Sequence, residues 1–64
     1  MAIRKNNSLK LKGYDVLFYH KRNDAIEYEY VEAYSENEAI DLATIKHRLN
    51  YPRTHFMFYK IKKY

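Results

Sequence analysis

Residues 26–40, IEYEYVEAYSENEAI, change rhythm halfway, and that change decides the fold. From Ile26 to Tyr34 the chain alternates with period two. Ile26, Tyr28, Tyr30, Glu32 and Tyr34 share one phase, while Glu27, Glu29, Val31 and Ala33 share the other. Such alternation belongs to a strand, whose successive side chains point to opposite faces. On the second phase only Val31 and Ala33 suit a core, which leaves three tyrosines together on the first. Ser35-Glu36-Asn37-Glu38 then reads as a capping box, in which a serine and the glutamate three residues later satisfy backbone N–H groups at the start of a helix.

The helix extends to about Leu49. Glu36, Glu38 and Asp41 lie in its first turns and Lys46, His47 and Arg48 in its last, so the charges oppose the helix dipole at both ends. Asn50, as a left-handed residue, and Pro52 supply the stop. Helical spacing places Ala39, Leu42, Ala43 and Leu49 in one stripe with Ile40 and Ile45 on its flanks, and Lys46 within that arc has to snorkel. Upstream, YDVLFYHK (14–21) is a strand with Tyr14, Val16, Phe18 and His20 on one phase and Asp15, Leu17, Tyr19 and Lys21 on the other. Arg22-Asn23-Asp24 makes the hairpin turn. Residues 54–64, THFMFYKIKKY, form a third strand, with Phe56, Phe58, Lys60 and Lys62 opposed to His55, Met57, Tyr59 and Ile61.

The expected fold is therefore α+β: a β-β-α-β domain over residues 12–64, its antiparallel three-stranded sheet in the order 3-1-2, with one helix on one face. Residues 1–11 read as a flexible basic arm.

A chain of 64 residues is one domain with a thin core, burying only about 60% of the surface its unfolded form exposes. It has no cysteine, so no disulfide or thiolate metal site supplements that core. No segment is apolar enough to span a membrane, and MAIRKNNSLKLK lacks the apolar stretch of a signal peptide, so a cytoplasmic location is expected. The net charge of +4 hides a division: seven acids and no Lys or Arg lie between Asp24 and Asp41, while all twelve basic residues and Asp15 lie outside. The acidic second strand and the basic third strand fall at opposite sheet edges, giving two electrostatic poles.

One helix covers one face of a sheet. With Val31, Ala33, Leu17, Tyr19, Met57, Tyr59 and Ile61 toward the helix, the residues Tyr28, Tyr30, Tyr34, Val16, Phe18, Phe56 and Phe58 are left uncovered. So aromatic a face meets a partner, or a second copy in a homodimer. Catalysis is not expected. The three histidines lack metal-ligand spacing and read as surface residues, a single glycine makes no phosphate loop, and a two-layer domain offers no deep pocket. Neither cofactor nor metal is called for.

Binding is what remains. For a protein partner, Tyr28, Tyr30, Tyr34, Phe56 and Phe58 supply contact area, and the acids of strand 2 and the helix start, among them Glu36, Glu38 and Asp41, steer toward a basic surface. For a nucleic acid, the alternative, Lys10, Lys12, Lys21, Arg22, Arg53, Lys60, Lys62 and Lys63 meet phosphates while aromatic rings stack on bases.

VEAYSENEAIDLA (31–43) carries the pattern V-x-A-x-S-x-x-x-A-I-x-x-A. It resembles the corresponding part of small β-β-α-β proteins of phages and mobile elements, such as the coliphage inhibitor of host RNA polymerase, and the archaeal ribosomal LX protein has a similar layout. The resemblance implies a non-enzymatic protein that binds and modulates a host macromolecular machine. It also implies partner contacts at Arg53 and Lys60 and at Glu36, Glu38 and Asp41.

Overall fold

A computed structural model describes residues 10–64, and the expected arm therefore lies almost wholly outside the described residues. Strand β1 (Lys12–His20) is followed by β2 (Ala25–Ala33), helix α1 (Glu36–Asn50) and β3 (Met57–Lys63). The sheet order is β2-β1-β3 and both pairings are antiparallel, as the sequence predicts. α1 packs across one face.

Each junction has a local cause. In the hairpin, the Asp24 N–H donates to the Lys21 carbonyl at 3.2 Å, and Asp24 takes the left-handed φ of 53° that an aspartate tolerates. Ser35 is the helix N-cap, its Oγ accepting from the Glu38 N–H at 3.2 Å. The return bond differs by one residue from the expected box: Glu38 Oε1 accepts from the N–H of Tyr34 at 2.7 Å. At the far end Asn50 is helical and not left-handed. The helix closes instead through the Tyr51 N–H, which donates to the His47 carbonyl at 2.9 Å.

Hairpin register sets the faces. Four turn residues leave His20 opposite Ala25, so Tyr14 faces Val31 and Val16 faces Glu29 across the ladder. Paired residues point to the same side. Because Val31 and Ala33 do turn toward the helix, Tyr14, Val16, Phe18 and His20 turn there with them. This corrects the expected phase of β1: Val16 and Phe18 are buried, while Leu17 and Tyr19 lie on the open side.

β3 needs a second correction. Leu17 pairs with Lys60 but Phe18 with Phe58, so Tyr59 is an extra residue and the phase of the strand changes there. Ile61 stays on the helix side, as expected. Phe58, expected beside Lys60 and Lys62, falls on the helix side at the sheet edge, whereas Met57, expected on the helix side, is open. Phe56 is half-buried and packs on the core.

The core has two parts. Tyr14, Val16, Ala33, Ala39 and Ala43 fill one end, where the alanines bring the helix close to the sheet. Phe18, His20, His47, Tyr51 and Phe56 fill the other with rings: Phe18 stacks on His47 at 4.6 Å and 13°, and Phe56 meets His47 edge-on at 4.6 Å. The buried helix stripe is thus Ala39, Ala43 and His47. Leu42, Ile45 and Leu49, predicted at or beside the core, are 41%, 61% and 77% exposed.

Candidate functional site

The face away from the helix carries three short rows across β2, β1 and β3. Ile26, Tyr19 and Met57 make one, Tyr28, Leu17 and Lys60 the next, and Tyr30, Asp15 and Lys62 the third. Tyr28 is 64% exposed and Tyr30 43%. Of the expected partner residues, Tyr28, Tyr30 and Lys60 are thus brought together. Tyr34 lies in the turn before α1, Glu36, Glu38 and Asp41 lie on α1, and Arg53 lies in the loop that follows.

Carboxylates on and beside this face are engaged by tyrosine hydroxyls. Tyr19 donates to Asp24 at 2.8 Å, Tyr30 to Glu32 at 3.3 Å, and Tyr64 to Asp15 at 2.5 Å. These pairings raise the phenol pKa values. For Tyr19 and Tyr64 the hydrogen bond to the carboxylate is the main cause; for Tyr30 desolvation leads, followed by the charge of Glu32. The hydroxyls therefore stay protonated and the rings are oriented. Lys60 and Lys62 are left as exposed cations on the opposite flank.

Tyr30 is also held from below. A Cβ on Gly13 would lie 2.5 Å from its hydroxyl oxygen and 3.0 Å from its ring, so the ring rests over the glycine. Gly13→Val is expected to lift Tyr30 off the face and break its hydrogen bond to Glu32. The ring NMR signals of Tyr30 should shift while the far-UV circular dichroism is kept; unchanged signals would show that glycine does not seat the ring.

A second set of basic residues gathers at one end of the sheet. Lys21 and Arg22 from the hairpin turn and Arg53, Thr54 and His55 from the loop after α1 line a cavity of about 530 Å³. Lys21, Arg22 and Arg53 are expected nucleic-acid contacts; Thr54 and His55 were not foreseen. Arg48 supports this loop: its Nη1 donates to the Thr54 carbonyl at 2.7 Å, and its guanidinium sits 4.2 Å over the Phe56 ring. Lys12 and Lys63, opposite Ala33 and Tyr14, are on the helix side, and Lys10 precedes β1.

The sequence reading of the histidines requires correction, since His20 is 2% exposed and His47 fully buried. Their Nε2 atoms are 2.7 Å apart, so one donates a single proton and the other accepts it. His47 Nδ1 lies 2.7 Å from Glu29 Oε2, which also accepts from the Asn50 amide at 3.0 Å. Lys46 snorkels as expected, its Nζ donating to the Tyr30 carbonyl at 3.0 Å and standing 3.8 Å from Glu29 Oε1. Among the described residues, no group of three or more His, Cys, Asp or Glu side chains has the geometry to hold a metal ion.

Burial works to raise the Glu29 pKa. Hydrogen bonds from His47 and Asn50, with the charges of His47 and Lys46, work the other way and prevail, so it lies below the ordinary 4.5. A carboxyl depressed in the folded state binds protons more readily when unfolded. Its stabilisation is therefore complete above the unfolded value and is lost as pH falls through the folded one. Urea midpoints are expected to drop below about pH 4.5, and Glu29→Gln should flatten that acid limb. An identical limb in the variant would assign acid sensitivity elsewhere.

No family model matches the chain, and no curated protein or solved structure matches it. Among the described residues, no helix is long and apolar enough to cross a membrane.

Proposed function

We propose that this chain is a non-enzymatic domain that binds single-stranded nucleic acid on the open face of its sheet. The observation that supports it is the placing of exposed Tyr28 and Tyr30 on β2 across the central strand from Lys60 and Lys62 on β3. Two strand spacings separate them, about 10 Å. Bases stack on the tyrosines and Tyr19, sequence-tolerantly because every base has a π face. The lysines meet the backbone phosphates. A duplex, with its bases already stacked, cannot use such a platform.

The expected reading as a modulator of a host machine, acting through protein contacts, loses part of its basis. Phe56 belongs to the core, Phe58 turns to the other side, and Glu38 is spent on capping. The lysines and the tyrosine-engaged carboxylates favour the nucleic-acid alternative on charge.

Fluorescence anisotropy of a labelled oligothymidylate, titrated at several salt concentrations, tests the proposal. Three or four neutralised phosphates predict a slope of about −2 to −3 in log K against log salt, at roughly −0.7 per phosphate for a single strand. Absence of binding at low salt would reject the proposal. Nuclease-resistant retention of a discrete protein in parallel would return the face to a protein partner.

A further inference from the structure

We infer that the cavity between the hairpin turn and the α1–β3 loop is a site for the terminal phosphate monoester of the bound strand. The inference rests on the nucleic-acid reading and deepens it by naming the part of the ligand that this end of the domain takes.

Charge comes first. Lys21, Arg22 and Arg53 bring three permanent cations to one cavity, His55 and Thr54 add further polar groups, and no carboxylate is among the lining residues. An internal phosphodiester carries one negative charge. A monoester carries about −1.5 to −2 at neutral pH and presents three strong acceptor oxygens. A cluster of this size suits the second, and arginine forks suit its planar pairs of oxygens.

Position and size agree. A second cavity, about 180 Å³ and lined by Tyr19, Lys21, His55, Phe56 and Met57, shares Lys21 and His55 with the first. Tyr19 and Met57 belong to the first row of the open face. The two hollows and the face are thus continuous, and the basic cavity lies where a strand crossing the tyrosines would end. Its volume of about 530 Å³ falls within the range of small-molecule sites, so a whole terminal nucleotide has room there.

The walls are also held in place. Tyr19 anchors the hairpin turn through Asp24, and Arg48 ties the Thr54 carbonyl to the helix. Phe56, next to His55, is clamped between Arg48 and the rings of His47 and Phe18, 5.1 Å from the latter. A site on fixed supports loses less on ordering when its ligand arrives.

Four probes test the inference: an internally labelled oligothymidylate ending in a 5′-phosphate, one ending in a 3′-phosphate, one with hydroxyls at both ends, and free thymidine 5′-monophosphate. One phosphorylated oligonucleotide should bind at least tenfold tighter than the hydroxyl-ended one, and Arg53→Gln, checked for folding by circular dichroism, should bring that ratio near one. Which end gains sets the polarity of the strand on the sheet. Equal affinity of all three oligonucleotides would overturn the inference and leave the nucleic-acid reading standing. If no oligonucleotide binds, that reading fails, and amide shifts on adding the mononucleotide decide the cavity separately. Shifts at Thr54 and His55 would uphold a monoester site, and none would overturn it.

Discussion

His47→Ala is expected to remove about 3–5 kcal/mol of stability, the usual loss when one member of a buried charged pair is deleted. For 64 residues the whole folding free energy is about 3–10 kcal/mol, so much of the variant should be unfolded at room temperature. Three losses coincide. Glu29 keeps its burial but loses the partner 2.7 Å away, His20 loses the group that shares its Nε2 proton, and Phe18 loses the ring stacked on it at 4.6 Å. Urea unfolding followed by circular dichroism measures the difference. The combined replacement Glu29→Leu, His20→Phe and His47→Leu should recover a large part of it, because an apolar set of similar volume has no desolvation to repay. A His47→Ala loss under about 1 kcal/mol would mean that the three polar groups do not hold the fold together.

The second large effect concerns binding. Lys60→Glu with Lys62→Glu should weaken oligothymidylate binding on the order of 100-fold at 0.1 M salt, because two phosphate contacts become two repulsions, and the salt slope should flatten. Both side chains are exposed on an edge strand, so the fold should survive. Lys63 makes the comparison specific. It lies on the same strand but opposite Tyr14, on the helix side. Lys63→Glu changes net charge as much as Lys60→Glu does, yet should cost far less affinity. Equal losses would show that the domain attracts nucleic acid through overall charge, without a defined face.

Much of this was legible in the residues. The period change at Ser35 fixed the boundary between β2 and α1, and the order of the elements followed from it. The phase of β1 was not obvious locally, because Tyr14, Val16 and Phe18 are as apolar as Leu17 and Tyr19. It was nevertheless implied: a four-residue turn pairs His20 with Ala25, which carries Tyr14 to the side of Val31. The extra residue in β3 had no such signal. It separates Phe58 from the lysines, and an alternating pattern gives no warning of a slip.

The buried histidines were missed because residue type outweighed spacing. Ala39, Ala43 and His47 recur every four residues and so lie along one side of the helix, and His20 shares a phase with Tyr14. Taken together, these two facts place both rings inside. Glu29 was recognised as facing away from the tyrosines, but only the register shows it opposite Val16, under the helix. The basic cavity unites residues from two loops distant in sequence, and no local pattern announces it.

The uneven filling of the interior also orders how the molecule comes apart. The first turns of α1 rest on the sheet through two alanines, whereas its last turns are tied to β2 through Glu29 and to β1 through His20. Opening therefore starts at the capped end and stops at the rings, and amide exchange with solvent should slow progressively from Ala39 to His47. The loop that borders the basic cavity is attached to the slow end. The part of the domain assigned to grip a charged ligand is thus the last to let go of its own scaffold.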